Sequence, residues 1–205
     1  METDRQEERR KQIEAAAFEL LAEKGYRSTS MLQIAKRAAA SNQTLYAWYG
    51  NKQTLFQKLI EENAEAIKEL LTGALDNQTE PLETLRTLGP LLLEFTTGEK
   101  AIIINRAAIA DAGETGLLAE AIDLAARQNI VKLITAIMKQ LASAGRFHGS
   151  VDPGEATETY ISLLFGEVPM RQAMGRLPPL NSAEISTRAE RAFKLTLRLY
   201  EKDAP

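Results

Sequence analysis

Apolar residues recur at every third or fourth position along almost the whole chain, and nowhere do they alternate with polar ones over a strand-length run. That period predicts helices from end to end. Ile13, Ala17, Leu20 and Leu21 mark one face of a first helix over about residues 5–24, with Gly25 as its C-terminal stop. Ser30 followed by Gln33 reads as a capping box opening a short helix to about Ala38. Another short helix starts near Ser41 and ends before Gly50, and Asn51 caps a longer one reaching about Gly73. Further helices are expected over about residues 80–95, 98–112 and 115–144, the last closed by Gly145. Asp152, Pro153 and Glu155 supply an N-cap, an N1 proline and a capping acid for a helix to about Met174, in which Pro169 predicts a kink. Asn181 and Glu184 open the last helix, to about Lys202. The expected fold class is all-α, with about nine helices.

The two short helices carry the most specific pattern. At 100° per residue, Met31, Ile34 and Ala38 share the inner face of the first, and Leu45 and Tyr49 that of the second. Gln43, Thr44 and Ala47 then point the other way, with Tyr46 beside them. A tight connection and a polar outer face on the second helix make this a helix-turn-helix candidate. An α-helix fits the major groove, where Gln43 suits a base edge and Thr44 or Ala47 a thymine methyl. Tyr46, Lys52 and the helix start at Asn51 suit phosphates, as a hydroxyl donor, a point charge and free backbone amides. Trp48 lies at the edge of the inner face, open either to packing or to the phosphate backbone.

Charge sharpens the picture. The chain of 205 residues has a formal charge of −3, yet the 37 residues between Glu23 and Glu61 hold no acid, where about five are expected from random scatter. Residues 1–60 carry ten bases against seven acids, and the remaining 145 carry 15 against 21. On charge alone, a solvated helix face explains the scattered bases as well as nucleic acid does; facing phosphates also explains the missing acids. The absence of cysteine excludes disulfide staples and Cys-ligated zinc and fits a reducing compartment. A single histidine, His148, weakens metal and Ser-His catalytic readings, so no catalytic residue, metal or cofactor is expected. The charged N-terminus and the lack of any run near 18 apolar residues point to a soluble, cytoplasmic protein without a membrane partner.

The run GYRSTSMLQIAKRAAASNQTLYAWYGNKQTLF resembles the DNA-binding domain of TetR-family transcriptional regulators. The matching positions are Gly25-Tyr26, Thr29-Ser30, Ile34-Ala35, Ser41, Thr44-Leu45-Tyr46, Trp48-Tyr49 and Lys52. The resemblance implies a three-helix DNA-binding domain over residues 1–50, with contacts from Thr29, Ser30, Ser41, Asn42, Gln43, Thr44, Tyr46, Ala47, Trp48 and Lys52. It implies a larger helical ligand-binding and dimerisation domain over residues 51–205, similar to those of regulators grouped around AefR and AcrR. The implied partners are a palindromic double-stranded DNA operator, an unidentified small-molecule effector that releases a repressor from it, and a second copy of the chain. Two departures stand out. Ala38-Ala39-Ala40-Ser41 replaces the usual Ala-Gly-Val-Ser turn, so the turn is either strained or differently shaped. Leu32 occupies a position that is polar or basic in many members, and either touches a thymine methyl or covers the core.

For the second domain, the family suggests that two apolar stripes pair with their two-fold mates: Leu163, Leu164, Val168 and Met170, and Ile185, Ala189, Phe193, Thr196 and Tyr200. Intramolecular core is the other reading of both. Asn105, Arg106 and Asn129 interrupt apolar runs, and with Phe95 and Phe165 they are candidate ligand contacts, Arg106 suiting an anionic group. A helical scaffold whose basic head meets an acidic protein is the alternative function.

Overall fold

The computed structural model describes residues 2–76, 80–125 and 130–202. Among them the chain forms eleven α-helices and no sheet: α1 (Glu2–Ser28), α2 (Met31–Arg37), α3 (Asn42–Tyr49), α4 (Lys52–Asp76), α5 (Pro81–Thr97), α6 (Glu99–Asp111), α7 (Leu117–Ala125), α8 (Lys132–Ser143), α9 (Pro153–Phe165), α10 (Val168–Ala173) and α11 (Ser182–Tyr200). The all-α expectation holds, with two of the expected helices divided. The segment expected as one helix over residues 115–144 contains α7 and α8. The segment ending near Met174 breaks at Gly166 (φ 48°), three residues before Pro169. Proline has no N–H to satisfy the carbonyl four residues back, so the Phe165 carbonyl needs another donor. Arg188 supplies it, its guanidinium donating to the Leu164 carbonyl at 2.6 Å and the Phe165 carbonyl at 3.0 Å.

The chain divides into two compact units, residues 1–63 with 103–124, and residues 64–102 with 125–205. This division passes through α4 and α6, whereas the functional boundary expected from the sequence lies at residue 50. In the first unit, Ile13, Leu20 and Leu21 of α1 pack with Met31 and Ile34 of α2, Leu45 and Tyr49 of α3, and Leu55, Phe56 and Leu59 of α4. Ile104 and Ala108 of α6 and Leu118 of α7 complete that core. Each fully buried leucine or isoleucine contributes roughly 1.5–3 kcal/mol. Gly25 (φ 74°, ψ 170°) interrupts α1 where the sequence places its stop, and the chain resumes as one more turn.

In the second unit, α5, α8, α9 and α11 pack on one another around Leu85, Leu92, Ile134, Met138, Tyr160 and Phe193. This corrects part of the expected dimer surface. Leu164, Val168, Ala189, Phe193 and Thr196 are buried within the unit itself, and Thr196 Oγ1 donates to its own helix at the Ala192 carbonyl, 2.9 Å away. The stripe is amphipathic because α11 lies against α5 and α9 of its own chain. Leu163, Ile185 and Tyr200 are half-buried, and the Tyr200 and Thr159 hydroxyls share a hydrogen bond of 2.7 Å. Met170 is 60% exposed. Among the described residues no helix is long and apolar enough to cross a membrane.

Candidate nucleic-acid interface

Each reading-head helix is started by a side chain named in the sequence. Ser30 Oγ accepts from the Gln33 amide at 3.3 Å, while Gln33 Oε1 accepts from the Ser30 amide at 2.9 Å, closing the capping box of α2. Ser41 Oγ accepts from the Thr44 amide at 2.9 Å and shares a 2.7 Å hydrogen bond with Thr44 Oγ1 at the start of α3. Asn51 Oδ1 accepts from the Thr54 amide at 2.8 Å at the start of α4. Ser30, Ser41 and Asn51 therefore fix helix starts and remain exposed beside them.

On α3, Leu45 and Tyr49 are buried, as their register predicts. Asn42, Gln43, Tyr46 and Ala47 are exposed, Tyr46 to 51%, and Thr44 and Trp48 are half-buried. Trp48 packs on the unit's core, so packing accounts for at least one edge of its ring. Leu32 is 51% exposed on α2 and does not cover the core.

Two predicted contacts are placed differently. Thr29 is buried, its hydroxyl donating to the Gly25 carbonyl at 2.9 Å and the Leu20 carbonyl at 3.3 Å. Thr29 thus spends its hydroxyl on backbone carbonyls around the kink at Gly25, from inside the unit rather than facing a duplex. Lys52 is half-buried: its ammonium donates to the Tyr26 carbonyl at 3.0 Å and lies 4.0 Å from the centre of the Tyr26 ring. Burial lowers its pKa, against the opposing pull of the Glu114 and Asp111 carboxylates. Arg37, beside the exposed Lys36, is held by Glu23 and Glu19 of α1 at 2.8 and 3.2 Å.

The turn answers the question raised by its missing glycine. Ala39 takes φ 49°, a left-handed conformation that costs a residue with a Cβ about 1 kcal/mol. The strained alternative is the one adopted. Arg9 of α1, which sequence reasoning did not single out, donates to both the Ala38 carbonyl (3.3 Å) and the Ala39 carbonyl (2.5 Å). Its signal was positional: Arg9 stands four residues before the buried Ile13, at the start of the inner face of α1. With Gln12, Thr44 and Trp48 it lines one surface groove beside α3.

Two polar centres, one buried and one partly buried, lie within the first unit. Tyr26 stacks edge-on against Phe56, with ring centres 5.6 Å apart. Its phenol is pushed above the ordinary value by burial and by the Asp111 carboxylate, so it stays protonated, although it closes no hydrogen bond of standard geometry. Asp111 is itself fully buried and accepts from Thr115 Oγ1 at 2.8 and 2.7 Å and from the Leu118 amide at 3.3 Å. In the second centre, burial and the neighbouring Glu62 carboxylate push Glu14 up to about 7, partly offset by Arg10 and the Tyr49 hydroxyl.

The expected effector contacts are not gathered in one unit. Phe95 and Phe165 are half-buried against the core of the second. Asn105 (half-buried) and Arg106 (exposed) belong to the first, while Asn129 lies outside the described residues. Arg106 is exposed because Ile104, Ala107, Ala108 and Asp111 occupy the inward face of α6.

A short capped helix presenting an exposed polar face free of acids, fixed on a three-helix support, defines a helix-turn-helix DNA-binding protein. Comparison with known proteins gives the family. Residues 13–59 match "Bacterial regulatory proteins, tetR family", and residues 83–202 match "AefR-like transcriptional repressor, C-terminal domain". The chain belongs to the TetR family of transcriptional regulators. HbdR, an HTH-type transcriptional regulator of Aromatoleum sp. (strain CIB), is 33% identical over 79 residues, which are 38% of this chain and only 34% of HbdR. A TetR-family regulator from Mesorhizobium loti MAFF303099 superposes with a TM-score of 0.80 at 22% identity, covering 95% of this chain and 98% of that one. Thermus thermophilus FadR, a TetR-family repressor in complex with lauroyl-CoA, superposes with a TM-score of 0.63 at 24% identity, covering 96% and 97%.

Proposed function

We propose that this protein is a cytoplasmic repressor that binds a palindromic operator as a homodimer and leaves it when a small-molecule effector binds. The observation that carries the reading is the outer face of α3, where Asn42, Gln43, Tyr46 and Ala47 are exposed beside the half-buried Thr44. Gln43 offers a paired donor and acceptor to an adenine edge, Ala47 a methyl surface to thymine, and Tyr46 a hydroxyl to phosphate. A two-fold pair of such heads reads two half-sites about one helical turn apart.

For the second copy, the reading uses the outer surface of α9, α10 and α11, where Leu163, Met170, Leu195 and Leu199 remain at least partly exposed. The effector has a largely apolar body with one polar or anionic group, and lauroyl-CoA, the ligand of the Thermus protein, is its first probe. Effector binding acts by favouring a conformation in which α4 tilts and spreads the two heads; this requires higher affinity for that conformation than for the DNA-bound one.

Selection of bound duplexes from a random library, with the unsubstituted protein and with Tyr46→Ala, tests the reading. An enriched inverted repeat, lost in the variant and released by lauroyl-CoA, is the expected result. Enrichment of a single half-site would remove the dimeric operator. No enrichment at low salt would remove DNA recognition and favour an acidic protein partner.

A further inference from the structure

We infer that Arg9 of α1 is the positioning residue of the reading helix: its guanidinium holds the glycine-less turn between α2 and α3 in the left-handed conformation that aims α3. An alanine at φ 49° returns to an ordinary conformation unless its surroundings over-determine it. Two backbone hydrogen bonds close the end of α2, from the Ala40 amide to the Ala35 carbonyl at 2.9 Å and from the Ala39 amide to the Lys36 carbonyl at 3.3 Å. They account for the amides of the turn. The Ala38 and Ala39 carbonyls are taken instead by Arg9, thirty residues earlier in the chain than Ala39, through Nη1 at 3.3 Å and Nη2 at 2.5 Å.

The chemistry suits arginine in particular. Two successive carbonyls need two donors at a fixed separation, which a planar guanidinium supplies and an ammonium does not. Both carbonyls lie at the C-terminal end of α2, where the helix dipole favours a cation. Nη1 also donates to Gln12 Oε1 at 3.1 Å, fixing the fork along α1. α3 begins at Asn42, two residues beyond Ala40, so the turn sets the direction in which Gln43 and Tyr46 leave the support.

The test uses the full chain and the duplex that the unsubstituted protein enriches from a random library, with affinities measured over a range of salt for Arg9→Ala, Arg9→Lys, Ala39→Gly and the double variant Arg9→Ala/Ala39→Gly. Arg9→Ala is expected to weaken binding about tenfold and Arg9→Lys by less. Ala39→Gly alone leaves affinity nearly unchanged. The double variant recovers to within about threefold of the unsubstituted protein, because glycine reaches positive φ without help. In the free protein, amide exchange in Arg9→Ala rises at Ala39 and Ala40 and stays unchanged at Leu45, whose amide bonds the carbonyl of the α3 N-cap Ser41. A loss that Ala39→Gly does not repair, with a salt slope shallower by about 0.9, would make Arg9 a phosphate contact and overturn the proposal. It is equally overturned by unchanged affinity in Arg9→Ala, or by exchange that accelerates throughout the first unit.

Discussion

The Lys52 ammonium lies 4.0 Å from the centre of the Tyr26 ring and donates a 3.0 Å hydrogen bond to the Tyr26 carbonyl, joining the first residue of α4 to the last turn of α1. A lysine held in this way supports the head through its intramolecular contacts, whatever its charge meets outside the chain. The cation–π contact and the charged hydrogen bond together are worth about 1–2 kcal/mol at a half-buried site. Lys52→Met, which keeps the stem and removes the charge, should therefore lower operator affinity and the thermal midpoint together, the latter by a few degrees. A lysine that only met phosphate would lower affinity and leave the midpoint in place. Parallel melting and binding curves decide between the two.

Tyr46 offers the contrasting case, since half of its surface is exposed on the outer face of α3. Tyr46→Phe removes one hydroxyl from that face. It is expected to weaken binding about five- to tenfold on all sequences alike, as the loss of a phosphate contact does, without moving the melting curve. Gln43→Ala should instead relax preference at one base position, by about 1–3 kcal/mol between the right and wrong base. Competition among duplexes that differ at single positions separates a uniform loss from a positional one.

These contrasts show which parts of the site the sequence carries. Helix starts were legible at Ser30, Ser41, Asn51, Asp152 and Asn181, because a cap is a local event between residues two or three apart. The register of Leu45 and Tyr49 was legible because an eight-residue helix over a support has one inner face. The burial of Thr29 and the intramolecular hold on Lys52 were missed for the opposite reason: their partners, the Leu20 and Tyr26 carbonyls, are backbone atoms that no side-chain pattern announces. The Ala189-Phe193-Thr196 stripe failed differently. Periodicity says that a face is covered, and the covering helices, α5 and α9, belong to the same chain. Arg106 interrupts an apolar run and still faces outward, since a run of apolar residues longer than one face of α6 needs no buried polar group to break it.

Glu14 predicts a pH dependence of the first unit. Its folded pKa of about 7 stands above the ordinary 4.5, chiefly through burial and next through Glu62, with Arg10 and Tyr49 acting the other way. Between those two values the folded state binds more protons at this site than the unfolded state. Stability from this group is therefore full below about pH 4.5 and declines as pH rises to about 7, then levels off. Glu14→Gln holds the neutral form at every pH. It should flatten that part of the pH–melting profile and raise the midpoint at pH 8 relative to the unsubstituted protein. An unchanged profile would show that Glu14 ionises without cost.

In the second unit, neighbouring helices pack tightly against Gly89 of α5. A Cβ there would stand 2.8 Å from Tyr160 Oη, 3.2 Å from Ala189 Cβ and 3.6 Å from Leu164 Cδ1, so α9 and α11 both approach the glycine. Tyr160 is buried at this point and spends its hydroxyl on the Leu85 carbonyl at 3.1 Å, one helical turn before Gly89. Burial pushes that phenol above its ordinary value, keeping the proton it donates. Gly89→Ala must displace the hydroxyl or part the helices, and an overpacked core of this kind costs about 1–3 kcal/mol. Tyr160→Phe removes the nearest atom but leaves the ring, so the same glycine substitution should cost less in that background. The difference should fall in the range of about 0.5–2 kcal/mol for side chains in direct contact. Urea midpoints for the four proteins, at one protein concentration so that any association contributes equally, give the coupling. Additive costs would mean that the helices part at Ala189 and Leu164 instead, and that the tyrosine hydroxyl does not set the spacing.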